Sequence, residues 1–356
     1  AHGRAGRQSR TGSLPCARKN GGKNTRAIKP VPRNAHCVPG RFPRLRHVWG
    51  FSPVGNPVIL VASERREARS VHEILAKSIL SSRNGINVYR GCTHGCIYCD
   101  SRSTCYQMDH AFEDVAVKVN AAELLEDALR RKRRPCMVGT GSMCDPYLPL
   151  EAETRLTRRC LEAIYRQGCG VSVLTKSNLI LQDIGLLAAI NTQAKAVVCT
   201  TLTTYDEALC RILEPNVCTT RRRFEMLRTM RAHGIHTGVW LCPILPFLND
   251  TEENLRGLLG YCFDAGVEVI VNFGMGVTLR DGDRQYFYRQ LDRHFPGMRQ
   301  RYIRTFGDAY QCPSPRAKEL SAILQEECKK RNVICEPEAA MAYLSTLEDR
   351  QMNLFT

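Results

Sequence analysis

The chain has 356 residues, 43% of them hydrophobic, with a formal net charge of +16 and 18 cysteines. That length buries one large core or two modest ones. The cysteines follow no framework spacing, which points to a reducing, cytoplasmic setting and against a secreted disulfide scaffold, and without an apolar run of about 18 residues or a signal peptide no membrane partner is expected.

The charge is unevenly spread. Residues 1–68 carry 14 Lys+Arg against 2 Asp+Glu, a net of +12, whereas the remainder carries 37 against 33, a net of only +4. The pI is therefore a weak argument for nucleic-acid binding by the body. The first segment is rich in Arg, Gly, Pro, Asn and Ser, with little periodicity before Val58-Ile59-Leu60-Val61-Ala62. Such a composition buries too little apolar surface to offset its ordering entropy, so 1–68 reads as a disordered basic arm. One reading is a nucleic-acid-binding arm. The other is non-native sequence, an upstream extension or a fragment end, since the first methionine is Met108. The second is favoured here, because no helix or strand pattern organises the charges.

Order begins near Ser70. Val71, Ile74, Leu75 and Ile79 recur at near-helical spacing, and Ile86-Asn87-Val88-Tyr89 reads as a short strand. Five more apolar runs follow, at 136–141, 170–176, 196–202, 239–244 and 267–273. Between them lie helical patterns: Leu124, Leu125, Ala128 and Leu129; Leu156, Cys160, Leu161 and Ile164; Leu179 to Ile190; Arg222 to His233; and Leu255, Leu258, Leu259 and Cys262 after a start signal at Asp250 and Glu253. Continuous apolar strands alternating with amphipathic helices predict an α/β fold with a covered parallel sheet. A tail from 276 to 356 is expected to pack on it as a helical extension.

The stretch that organises the chain is Tyr89-Arg90-Gly91-Cys92-Thr93-His94-Gly95-Cys96-Ile97-Tyr98-Cys99-Asp100. Its cysteines stand at C-x3-C-x2-C spacing, and Gly91 and Gly95 permit the backbone dihedrals of a tight wrap. Thiolates are the usual ligands of iron–sulfur clusters. Three of them hold three irons of a four-iron cluster and leave the fourth iron open. Structural zinc normally needs a fourth ligand and shows paired C-x2-C knuckles; here the spare ligands nearby are His94 and Cys105.

This loop closely resembles that of the radical S-adenosylmethionine enzymes. The resemblance implies a [4Fe-4S] cluster on Cys92, Cys96 and Cys99. It also implies that the open iron chelates S-adenosylmethionine, which one electron cleaves to a 5′-deoxyadenosyl radical. The implied fold is a partial (β/α)6 TIM-type barrel over 69–275, with the chemistry at the C-terminal ends of the strands. Cys92 to Ser103, Gly139 to Tyr147, Leu174-Thr175-Lys176-Ser177, Glu214-Pro215-Asn216 and Leu241 to Leu255 narrow the likeness to the spore photoproduct lyase group, over about residues 70–330.

The resemblance assigns roles to matching positions. Tyr98 packs beside the adenine, as a flat ring suits. Gly139, Thr140, Gly141 and Ser142 meet the methionine amino group at a strand end. Lys176 neutralises the methionine carboxylate as a point charge. Thr200 and Thr201 bond the ribose or methionine. Cys144 is the candidate hydrogen donor to a product radical, with Cys312 second. The implied function is a lyase-like radical enzyme repairing a DNA lesion, with Arg130–Arg134 and Arg221–Arg223 as phosphate contacts and a flavodoxin or ferredoxin as electron donor. The alternatives are a radical enzyme acting on a protein or small molecule, favoured slightly by the near-neutral body, and a non-catalytic metal-bound scaffold.

Overall fold

The computed structural model describes residues 71–347, and the expected basic arm lies outside them. Six strands form a single parallel sheet in chain order: β1 (Gly85–Ile86), β2 (Met137–Thr140), β3 (Gly170–Leu174), β4 (Ala196–Thr201), β5 (His236–Trp240) and β6 (Val269–Val271). Helices Ala121–Arg130, Leu156–Arg166, Ile184–Gln193, Thr220–Ala232 and Glu252–Asp264 carry the chain back between successive strands. This is the expected partial barrel. No helix among the described residues is long and apolar enough to cross a membrane.

Strand alternation divides the side chains into two cores. Val138, Val171, Val173, Val198, Val239 and Ile270 pack outward with residues of the helix layer, among them Leu125, Leu161, Leu187, Met226 and Leu258. Met137, Val197, Cys199, Val269 and Val271 face inward, against Ala340 and Leu344 of the helix Pro337–Ser345. The tail thus supplies a plug for the barrel. It also carries an antiparallel strand pair, Gly276–Thr278 with Gln311–Pro313.

Three local expectations fail for identifiable reasons. Val71–Ile74 is a strand paired in parallel with Val115–Lys118, not a helix turn; four residues cannot separate the two periods until a partner strand is known. The run 86–89 is shared between two sheets: Gly85–Ile86 joins the barrel, and Tyr89–Arg90 pairs antiparallel with Val115–Lys118. The helix Glu252–Asp264 is capped by Thr251, whose hydroxyl accepts from the Asn254 amide at 3.1 Å. Asp250 instead accepts a 2.5 Å hydrogen bond from Ser314.

Glu268 ties the plug helix to the barrel. Its carboxylate accepts from Tyr343 Oη at 2.7 Å and Arg231 at 2.5 Å, and lies 2.8 Å from His236 Nδ1. Burial alone would raise its pKa, but the hydrogen bonds from His236 and Tyr343 and the charges of His236 and Arg231 outweigh burial and bring it to about 2. A carboxyl lowered in the fold stabilises it above its unfolded pKa, and the contribution fades as the pH falls toward the folded value. Glu268→Gln is therefore expected to cost about 1–2 kcal/mol at pH 7. The gap from wild type, read by denaturant unfolding, should narrow below about pH 4. A gap that is constant with pH would show that the charge contributes nothing.

Candidate functional site

The cysteine loop is held from two sides. On one, the Cys92 amide donates to Phe112 O at 2.8 Å. A Cβ on Gly91, at φ +93°, would lie 2.7 Å from that same oxygen. On the other, the segment Leu213–Asn216 clamps the loop: Ile97 N donates to Leu213 O at 3.0 Å, Asn216 N to His94 O at 3.1 Å, and Asn216 Nδ2 to Thr93 O at 3.0 Å. Gly95, at φ +71°, fits because its missing Cβ would lie 2.9 Å from Asn216 Nδ2. Both glycines picked out in the sequence are sterically required.

Cys92, Cys96 and Cys99 all line a cavity of about 800 Å³ at the C-terminal ends of the strands. That volume is in the range of small-molecule and cofactor sites. All three are free thiols. Among the described residues, the His/Cys/Asp/Glu group whose ligand atoms fall within 4.8 Å of one another is His72, His110 and Asp114, not these cysteines. Three thiols bordering one cavity are the donor set that iron–sulfur clusters use. A hydrogen bond from Cys144, followed after the opposing effect of burial by His94, holds Cys92 well below the usual thiol range. Burial pushes Cys96 and Cys99 up, while the nearby Lys176 pulls both down.

Asp145 joins three elements at the cavity wall. Its Oδ1 accepts from Thr175 Oγ1 at 2.6 Å and Tyr147 N at 2.9 Å. Its Oδ2 accepts from Lys176 N at 2.7 Å and lies 3.4 Å from His94 Nδ1. One carboxylate thus connects the loop after β2, the end of β3 and the cysteine loop. Burial works against a charged His94, yet Asp145 and Cys92 outweigh it and raise its pKa. Lys176 is likewise raised despite burial, chiefly by Cys96, Glu214 and Asp145, and stays cationic on the cavity wall.

A second buried joint lies behind Tyr98. Its hydroxyl donates to Glu214, which also pairs with Arg223. Arg223 donates further to Thr201 O at 2.7 Å and Cys218 O at 2.8 Å. Burial would raise the Glu214 pKa, but Arg223 and Lys176 bring it below the usual carboxylate value. Arg223 is fully buried, so it cannot be the phosphate contact expected of Arg221–Arg223. Arg221 pairs with Glu225 at 3.5 Å.

Of the residues expected at the cofactor, Tyr98, Gly141, Ser142, Lys176 and Thr201 line the cavity, and Cys144 does too. Gly139, Thr140 and Thr200 are not on its wall. The pleat explains both threonines: Thr201 shares the inward face with Val197 and Cys199, whereas Thr200 follows Val198 to the helix side, as Thr140 follows Val138. Cys144 turns its thiol to Gly91 O at 2.8 Å and toward Cys92. Cys312 reaches the cavity on the tail strand Gln311–Pro313. The sequence reading missed Asp145, whose Cys-Asp-Pro-Tyr setting reads as a turn. It also missed Cys242, a cavity-lining thiol pushed up to about 12 by burial.

Residues 86–259 match the family described as the Radical SAM superfamily. An uncharacterized protein of Mycobacterium tuberculosis (strain ATCC 25618 / H37Rv) is 34% identical over 246 residues, covering 65% of this chain and 72% of that protein. An uncharacterized protein of Methanocaldococcus jannaschii is 31% identical over 169 residues, covering 47% of this chain and 62% of that protein. Among solved structures, spore photoproduct lyase complexed with dinucleoside spore photoproduct superposes with a TM-score of 0.55 at 14% identity, over 74% of this chain and 81% of the other. At that identity the likeness is one of fold.

Removing the Asp145 carboxylate would leave the Thr175 hydroxyl and the Tyr147 and Lys176 amides without their acceptor. Each such loss costs about 1–3 kcal/mol when buried, so Asp145→Ala should destabilise the protein by at least about 3 kcal/mol. The loop should also retain less reconstituted iron. Unchanged unfolding midpoint and iron content would show that the joint does not hold the loop.

Proposed function

Because this chain belongs to the radical S-adenosylmethionine superfamily, whose members use a [4Fe-4S] cluster and S-adenosylmethionine, we propose that it is a radical enzyme repairing a nucleic-acid lesion in the manner of spore photoproduct lyase. The observation that carries this reading is Cys144, which lines the same cavity as Cys92, Cys96, Cys99 and Lys176. A further support is the surface of the tail: Arg289, Arg293, Arg299, Arg301 and Arg304 are exposed on the helices Asp283–His294 and Met298–Phe306. Exposed arginines are the usual phosphate contacts, although Arg299 already pairs with Asp292 at 2.8 Å. The chemistry belongs to 69–275, with tail residues among 276–321 bordering the cavity.

When bound, the cluster supplies the electron that cleaves S-adenosylmethionine to methionine and a 5′-deoxyadenosyl radical. Everything else falls to the chain. Cys92, Cys96 and Cys99 hold three irons. Lys176 sets a positive charge opposite the methionine carboxylate, and Gly141 and Ser142 offer polar groups to the amino end. The Tyr98 ring, fixed by Glu214, borders the adenine, and Thr201 stands by the ribose. Cys144 donates a hydrogen atom to the carbon-centred substrate radical: its S–H bond breaks, a C–H bond forms, and the unpaired electron passes from carbon to sulfur. The transfer needs near-contact geometry, for which the Cys144 thiol must turn from Gly91 O toward the cavity. A flavodoxin or ferredoxin supplies the reducing electron.

A second reading, a protein or small-molecule substrate, draws on the apolar wall formed by Trp240, Phe273 and Met275. Anaerobic turnover of a dinucleoside lesion separates the two. Reconstituted wild type with a reductant should form 5′-deoxyadenosine and repaired dinucleoside, and Cys99→Ala should hold little iron and form neither. Cys144→Ala should still form 5′-deoxyadenosine while the substrate radical goes to by-products. Clean repair by Cys144→Ala would remove the donor role. Deoxyadenosine without repair by wild type would favour the second reading.

A further inference from the structure

Away from the cysteine loop, His72, His110 and Asp114 bring their ligand atoms within 4.8 Å of one another. His72 stands on the strand Val71–Ile74 and Asp114 immediately precedes its partner strand Val115–Lys118. His72 Nδ1 lies 2.9 Å from Asp114 Oδ1, and the two imidazoles meet edge to face with centroids 4.9 Å apart. Two ligands bonded to one ion at about 2.1 Å lie about 3.0–3.4 Å apart, so the first pair already has nearly the spacing that a shared ion imposes.

His110 supplies the independent observation. Its Nδ1 lies 3.0 Å from Ala111 O. A ring N–H donated to a backbone carbonyl fixes the tautomer and leaves the other nitrogen with a lone pair, the usual arrangement of a metal-bound histidine. That other nitrogen, Nε2, is buried and has no hydrogen-bond partner, on a side chain only 14% exposed. A buried nitrogen with nothing to bind costs free energy unless something fills its place. Asp109 Oδ1 stands 3.8 Å from it, on a side chain 83% exposed that is free to swing inward.

We propose that His72, His110 and Asp114 form a second metal site, distinct from the cysteine loop, that takes zinc with Asp109 or water as the fourth ligand. Two imidazoles and a carboxylate suit a first-row divalent cation and not calcium or magnesium, which take oxygen ligands. The site staples the outer strand to the segment that supports the cysteine loop, since Phe112 O receives the Cys92 amide and Asp114 O packs against Gly91.

The test uses the full chain with its cluster reconstituted first, so that the loop cysteines are occupied. The protein is then loaded with zinc, desalted, and read by elemental analysis and by X-ray absorption at the zinc edge, which does not see iron. Wild type should retain one zinc per chain, in a shell of nitrogen and oxygen at about 2.0–2.1 Å without sulfur at about 2.3 Å. His110→Ala and, separately, His72→Gln should lower retained zinc at least tenfold while cluster iron stays unchanged. Should His110→Ala lose its cluster iron through misfolding, the more exposed His72→Gln decides. No stoichiometric zinc in wild type, equal zinc in the variants, or sulfur in the zinc shell would overturn the proposal and leave His72–Asp114 an ordinary ion pair.

Discussion

The site depends on one buried carboxylate. Asp145 takes hydrogen bonds from the loop after β2 and from both the side chain and backbone at the end of β3, and faces His94 of the cysteine loop. Parallel strands end independently of one another, and nothing in the ladder fixes how their tips meet. A charged acceptor that satisfies donors from two strand ends does fix it, because leaving any of those donors bare in a buried place is costly. Lys176 is thereby held at the wall with its charge among the thiols, and Gly141 and Ser142 are set beside it.

The Glu214–Arg223 pair supports the loop through Tyr98. Burying two charges is expensive and repays its desolvation only when the remaining hydrogen bonds are made. Here they are: Arg223 reaches two backbone carbonyls, and Glu214 also receives the Tyr98 hydroxyl. The same turn supplies Asn216 to the cysteine loop. The loop is therefore gripped by two polar joints, an arrangement that fixes thiols more firmly than apolar packing around a glycine-rich loop could.

Much of this was legible in the sequence because periodicity and spacing are local. The apolar runs at 170–176 and 196–202 became β3 and β4 within two residues, and the C-x3-C-x2-C loop was set at a strand end with its glycines in the required backbone conformations. Other features depend on partners distant in sequence. Glu214-Pro215-Asn216 carried the family resemblance without revealing that Glu214 pairs with Arg223, so Arg223 looked like a surface cation. Thr140 and Thr200 were placed at the cofactor by the family resemblance, but the pleat sends them to the helix side. Asp145 was given no role, since its partners Thr175 and His94 become neighbours only when the sheet forms. Val71–Ile74 was too short to declare its period alone.

The central claim is that three cysteines hold a four-iron cluster whose remaining iron is open to S-adenosylmethionine in this cavity. Mössbauer spectroscopy of protein reconstituted with isotopically enriched iron tests it directly. The account predicts a cluster in which one iron out of four changes its isomer shift and quadrupole splitting when S-adenosylmethionine is added, while the other three do not. A spectrum unmoved by S-adenosylmethionine, or iron in mononuclear sites only, would contradict it.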